Sequence, residues 1–206
     1  LLADGEKPAL VFDSDDTTLF TYDMEVKDMH FTFDPQLQDE WVQDQRFPAT
    51  PAMTAYVRKA QKIGYTIVGL TGRSAGQEAA TLKNLAKVGY GDAFTDANFY
   101  TKWSGTKPSY ITCKVATACT TVEYKAGTRR YLERKRDLTV VANYGDQWSD
   151  LQSVVGAAIK DMEAAPVVMQ EINRLARASY SSLSRTADGF ARNVQTLRDL
   201  GYSTQG

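Results

Sequence analysis

The sequence predicts an α/β fold, a doubly wound parallel sheet with a small insertion and a helical C-terminal tail. Short apolar or β-branched runs alternate with amphipathic helical stretches, and each run ends abruptly in a polar cluster. From residue 157 onward the strand signal disappears and only helical spacing is left. In open parallel sheets ligands bind outside the carboxyl ends of the strands, so the polar clusters mark the expected site.

The first strand is Ala9 to Phe12, a buried-type run after Lys7-Pro8 that ends in Asp13-Ser14-Asp15-Asp16. Residues 18–48 follow, rich in aromatics and acids without clean periodicity, and read as an insertion whose aromatics either form a small core of their own or face the ligand at the strand ends. A helix is expected next, with Thr50 as N-cap and Met53, Tyr56, Val57 and Ala60 as its stripe, ending at Gly64. Tyr65 to Leu70 is the second strand and ends in Thr71-Gly72-Arg73. Glu78 to Val88 reads as a helix burying Ala79, Leu82, Leu85 and Ala86 and closing on Gly89. Residues 93–123 suggest a hairpin or a long excursion at the sheet edge. A basic helix over Thr128 to Lys135 leads to a strand at Leu138 to Ala142, then to Asn143-Tyr144-Gly145-Asp146-Gln147-Trp148-Ser149-Asp150. The expected organisation is a core over 1–156 and a helical extension over 157–206 that packs on the core or, as a homo-oligomer, on a partner subunit.

Composition narrows the function. In 206 residues, hydrophobic residues make up 43% and charged residues 24%, and 24 Lys and Arg stand against 25 Asp and Glu. Without a basic excess, nucleic acid is not the expected partner, and no apolar run approaches the roughly 20 residues of a membrane span. The chain begins Leu1-Leu2-Ala3 with no initiator Met or apolar leader, which reads as a trimmed start. Cys113 and Cys119 suit either a short disulfide loop away from the strand ends or two buried thiols. A disulfide would point to an oxidising compartment and hence to secretion.

Three carboxylates within four positions at a strand mouth repel one another unless cations offset them. Mg²⁺ takes oxygen ligands from one or two carboxylates together with substrate phosphate and water, and Asp13, Asp146 and Asp150 are the residues to supply them from neighbouring strands.

These clusters resemble the four motifs of the haloacid dehalogenase (HAD) superfamily. Asp13-Ser14-Asp15-Asp16-Thr17 is similar to the first, Thr71 to the second, Lys125 to the third and Gly145-Asp146-x-x-x-Asp150 to the fourth. The strings Phe47-Pro48-Ala49-Thr50-Pro51, Thr71-Gly72-Arg73, Tyr124-Lys125-Ala126-Gly127-Thr128-Arg129 and Gly145-Asp146-Gln147-Trp148-Ser149-Asp150-Leu151 look like the acid phosphatase branch, subfamily IIIB, which includes plant vegetative storage proteins and bacterial secreted acid phosphatases.

The resemblance implies a Mg²⁺-dependent phosphatase of small phosphate monoesters. Asp13 would be the nucleophile, forming an aspartyl-phosphate, and Asp15 the acid and base. Thr71, Gly72 and Lys125 would bind the phosphoryl group. Arg73 would contact substrate or phosphate, or pair with a neighbouring acid. Asp13, the backbone carbonyl of Asp15, Asp146 and Asp150 would hold the metal, Asp150 either directly or through water. A phosphotransferase on the same site and a storage or binding protein on the same scaffold are the alternatives. The lone His30 stays outside the site.

Overall fold

A computed structural model of the chain describes residues 5–115 and 118–151. The expected helical tail over 157–206 lies outside the described residues. The described unit is built on four parallel strands: β1 (Pro8–Phe12), β2 (Thr66–Ser74), β3 (Phe99–Lys102) and β4 (Thr139–Tyr144), in the order β3-β2-β1-β4. Because β1 is central, its side chains alternate between two cores. Leu10 and Phe12 join one apolar cluster, and Ala9 and Val11 join the other.

On the Leu10/Phe12 face pack α2 (Met53–Lys62) through Val57 and Ala60, α3 (Glu78–Leu85) through Leu85, and the ring of Phe99 from β3. On the Val11 face packs α4 (Thr121–Lys135), with Tyr124 and Leu132 against Val68 and Leu70. Gly69 is required in β2 because a Cβ there would enter the Phe99 ring of the neighbouring strand.

Residues 18–48 do not form a separate aromatic core. Leu19, Met24, Met29, Val42 and Phe47 belong to the Phe12 cluster, whereas Phe31 and Phe33 are exposed. This stretch also contains a helix absent from the sequence reading, α1 (Pro35–Gln43). Its start is plain in hindsight: the Asp34 carboxylate accepts from the N–H groups of Gln36 and Leu37 at 2.9 and 3.2 Å, with Pro35 at the first position.

Other boundaries move for identifiable reasons. The second strand continues past Leu70 to Ser74, because pairing with β3 resumes at Ser74 opposite Lys102 after a register shift. The region 93–123 contains a parallel edge strand rather than a hairpin. Helix α4 starts at Thr121 instead of Thr128, set by Thr120 and Glu123 capping each other. The last strand is Thr139–Tyr144, displaced toward the site relative to Leu138 to Ala142.

Thr50 is not the cap of α2; Ala52 holds that position with φ of 65°. The buried face of α3 is Ala80, Thr81, Asn84 and Leu85, while Ala79 and Ala86 are exposed. Thr81 and Asn84 are tolerated there because their polar groups are bonded: Thr81 Oγ1 donates to the Gln77 carbonyl at 2.8 Å, and Asn84 pairs with both the N–H and the C=O of Phe47.

Candidate active site

The carboxyl ends of β1, β2 and β4 and the first turns of α4 converge on one cleft of about 560 Å³. Asp13 is the first residue beyond β1, and its N–H donates to the Tyr144 carbonyl at 2.9 Å, pinning it between β1 and β4. The loop then turns tightly: the N–H groups of Thr18 and Leu19 donate to the Ser14 carbonyl at 3.0 and 2.8 Å. Asp16, with φ of 50°, accepts from the Thr21 N–H and hydroxyl at 3.0 and 2.7 Å. Of the three clustered acids, Asp16 shapes the loop, which leaves Asp13 and Asp15 for the cleft.

Lys125 lies in the second turn of α4 with its side chain 2% exposed. Its Nζ is 3.1 Å from Asp13 Oδ1 and 2.6 Å from Asp150 Oδ1. Asp150 ends a short helical turn, Trp148–Asp150, and its side chain folds back over Gly145, where any Cβ would fall inside the Asp150 side chain. This close approach explains the glycine before Asp146. One turn beyond Lys125 on α4, the buried Arg129 donates through Nη2 to the Ser149 carbonyl at 3.0 Å, and burial lowers its pKa to about 10. Two cations of one helix face therefore fix the Asp146–Asp150 loop.

Carboxylate oxygens of Asp13, Asp146 and Asp150 lie within 4.8 Å of one another. Burial pushes the Asp13 pKa up to about 7; Lys125 opposes the rise, and Asp150 and Asp15 add to it. Asp146 is raised to about 6, first by partial desolvation of its carboxyl and then by Asp150 and Asp16. Asp13 Oδ1 is buried, within ion-pair reach of Lys125, yet accepts no hydrogen bond. Hard oxygen donors that repel one another, with one of them lacking a hydrogen-bond donor, fit a divalent cation.

The remaining predicted residues divide. Gly72, Arg73, Asp15 and Lys125 line the cleft. Arg73 forms a bidentate pair with Asp15, Nε to Oδ2 at 3.1 Å and Nη2 to Oδ1 at 2.6 Å. Thr71 is fully buried, is not among the lining residues, and accepts the Arg73 N–H on its hydroxyl at 3.3 Å. Phe33, one of the insertion aromatics, lines the cleft, as do Gln38 and Asp39 of the insertion and Gln77 and Gln147, which the sequence reading did not single out. Gln147 stood inside the Gly145 to Leu151 string; Gln38, Asp39 and Gln77 carry no such signal.

Cys113 and Cys119 form a disulfide in the connection between β3 and α4. The bridge is not remote from the cleft in the chain: Cys119 immediately precedes the capping Thr120, and Thr121 lines the cleft wall.

A parallel sheet with acids beyond β1, a lysine on the helix that leads into β4 and a Gly-Asp loop after β4 defines the HAD class of α/β proteins. Residues 1–182 match the model of the HAD superfamily, subfamily IIIB (Acid phosphatase), and the chain belongs to that family. Among curated relatives, the stem 28 kDa glycoprotein of Glycine max is 33% identical over 119 residues, covering 58% of this chain and 42% of that protein. Acid phosphatase 1 of Solanum lycopersicum is 29% identical over 160 residues, 73% of this chain and 54% of that protein. The chain thus spans about half the length of these relatives. Among solved structures, the class C acid phosphatase from Bacillus anthracis with tungstate bound superposes with a TM-score of 0.58 at 23% identity, over 81% of this chain and 62% of that one, and shares the fold.

Proposed function

We propose that this chain is a Mg²⁺-dependent phosphomonoesterase acting on small phosphate esters through an aspartyl-phosphate. The observation that carries the reading is Lys125 bridging Asp13 and Asp150 at the mouth of β1, with Asp146 beside them. Asp13, Asp146 and Asp150, with the Asp15 carbonyl, would hold the ion, which supplies charge neutralisation for the phosphoryl oxygens.

An Asp13 carboxylate oxygen attacks phosphorus, the bond from phosphorus to the ester oxygen breaks, and Asp15 gives its proton to the departing alkoxide. Asp15, now ionised, takes a proton from water, whose oxygen attacks the same phosphorus; phosphate leaves and the Asp13 carboxylate is regenerated. Lys125 offsets the charge that Asp13 and the transferring group bring together, and the Gly72 backbone orients that group, with Thr71 behind it bonded to the Arg73 N–H. Burial raises the Asp13 pKa to about 7, and the Lys125 ammonium group beside it favours the ionised form that the attack requires.

The disulfide suits an oxidising compartment. Together with the glycoprotein relatives of Glycine max, it supports export.

Acid quenching during turnover of a labelled aryl phosphate tests the reading. Label should appear on wild-type protein in an acid-stable, hydroxylamine-sensitive form and should be absent from Asp13→Asn. Turnover without any trapped label, or full activity in excess chelator, would exclude the proposed chemistry.

A further inference from the structure

We infer that Arg73 is the positioning residue of the acid–base carboxylate: it holds Asp15 facing the ester oxygen and does not grip the phosphoryl group. The inference rests on the proposed role of Asp15 as proton donor.

The geometry is over-determined. The Arg73 side chain is 1% exposed, while Asp15 keeps 27% of its own accessible, so the pair presents its acid, not its cation, to the cleft. Nε and Nη2 take both Asp15 oxygens, and Nη1 donates to Thr81 Oγ1 at 2.9 Å. The guanidinium carbon lies 5.0 Å from the centre of the Phe47 ring. Every nitrogen of the fork is thus committed and one face is covered.

The supports are themselves fixed. Thr81 is anchored to the Gln77 carbonyl, and Phe47 is 1% exposed and clamped at its backbone N–H and C=O by Asn84. The buried polar face of α3, which a purely apolar stripe would not contain, thereby acquires a purpose. Thr81 and Asn84 hold the two surfaces that hold Arg73. A fork so constrained allows Asp15 little rotation, as a proton donor that must meet one oxygen requires.

The experiment compares two substrates that differ in their need for that proton. Nitrophenolate leaves without protonation, whereas the alkoxide of glycerol 2-phosphate does not. In Arg73→Lys, kcat/KM for glycerol 2-phosphate should fall on the order of 10- to 100-fold further than for 4-nitrophenyl phosphate, since acid catalysis contributes about 10²- to 10⁴-fold. Inhibition by inorganic phosphate should stay within about twofold of wild type. Thr81→Val, which keeps the side-chain shape and removes the Nη1 partner, should show a smaller loss of the same selectivity, and serves if Arg73→Lys fails to fold. Equal losses on both substrates, or weakened phosphate inhibition, would overturn the inference. Asp15→Asn separates the two levels. If it is selective against glycerol 2-phosphate and the Arg73 and Thr81 variants are not, only the positioning role falls. If Asp15→Asn shows no selectivity, the proton-donor reading falls and the inference with it.

Discussion

Lys125 and Asp150 meet at 2.6 Å, with side chains 2% and 5% exposed, and Asp13 stands 3.1 Å from the same ammonium group. One buried cation therefore serves two buried carboxylates. Removing it strips Asp13 of the cation that offsets its charge and leaves Asp150 only the more distant attraction of Arg129, which is far more costly than losing a surface pair. Lys125→Met should lower the stability of the cation-free protein by about 3 to 5 kcal/mol at a pH where Asp13 is ionised. Chemical denaturation in chelator near pH 8 checks this. A variant as stable as wild type would mean that the two carboxylates do not depend on the lysine.

The Asp150 side chain lies against the Gly145 backbone, and a methyl group there has no room unless Asp150 turns away. Turning it would break the contact with Lys125 and pull one carboxylate from the cluster. Gly145→Ala should weaken Mg²⁺ binding by about 10- to 100-fold, the range seen when the support of a metal ligand is lost. Calorimetric titration of the folded variant measures this. Unchanged affinity would show that Asp150 is not part of the ion's site.

An acid whose pKa is higher in the folded chain binds more protons there than when unfolded. For Asp13 this holds from its ordinary 3.8 to about 7, and for Asp146 from 3.8 to about 6. Both groups therefore make the cation-free protein lose stability as pH rises through that window, with the loss complete above about 7. A divalent cation needs the ionised carboxylates, so its binding strengthens over the same range and releases protons. The rise in Tm on adding Mg²⁺ should be small near pH 4, larger near pH 6 and level above about pH 8. Thermal scans with Mg²⁺ and with chelator decide it; a Mg²⁺ effect that shrinks with rising pH would contradict the proposed ligands.

How much of this was legible depended on distance along the chain. The carboxylates and Lys125 stood out because each lies in a short string beside a strand or helix signal, and the alternation of elements places those strings at one sheet edge. The Arg73–Asp15 pair spans 58 positions and exists because β1 and β2 are neighbours in register, Phe12 opposite Gly69. No spacing rule carries that fact, and so Arg73 stayed ambiguous between substrate and acid. Thr81 and Asn84 fall outside the apolar stripe of their helix because a stripe is drawn from apolar residues alone; their partners, Arg73 and Phe47, are visible only in three dimensions. The start of α4 was different, since Thr120-x-x-Glu123 is a local capping signal that the basic run after Thr128 overshadowed.

The Cys113–Cys119 bridge gives a final prediction that combines stability with the site. Denatured, unreduced protein from an oxidising compartment should show no reactive thiols; two would refute the bridge. For so short a loop the constraint on the unfolded chain stabilises by on the order of 2 kcal/mol, and reduction should remove about that much. The effect should not stop there. The Cys119 carbonyl accepts from Lys102 Nζ at 3.1 Å, the next residue caps α4, and the one after lines the cleft. Loosening that connection frees the amino end of the helix whose second turn carries Lys125. Mild reduction of the folded protein should therefore raise KM by about two- to fivefold while leaving kcat nearly intact, because the wall is disturbed more than the reacting atoms. Kinetics unchanged by reduction would show that the Thr120–Glu123 cap alone is enough to hold α4 in place.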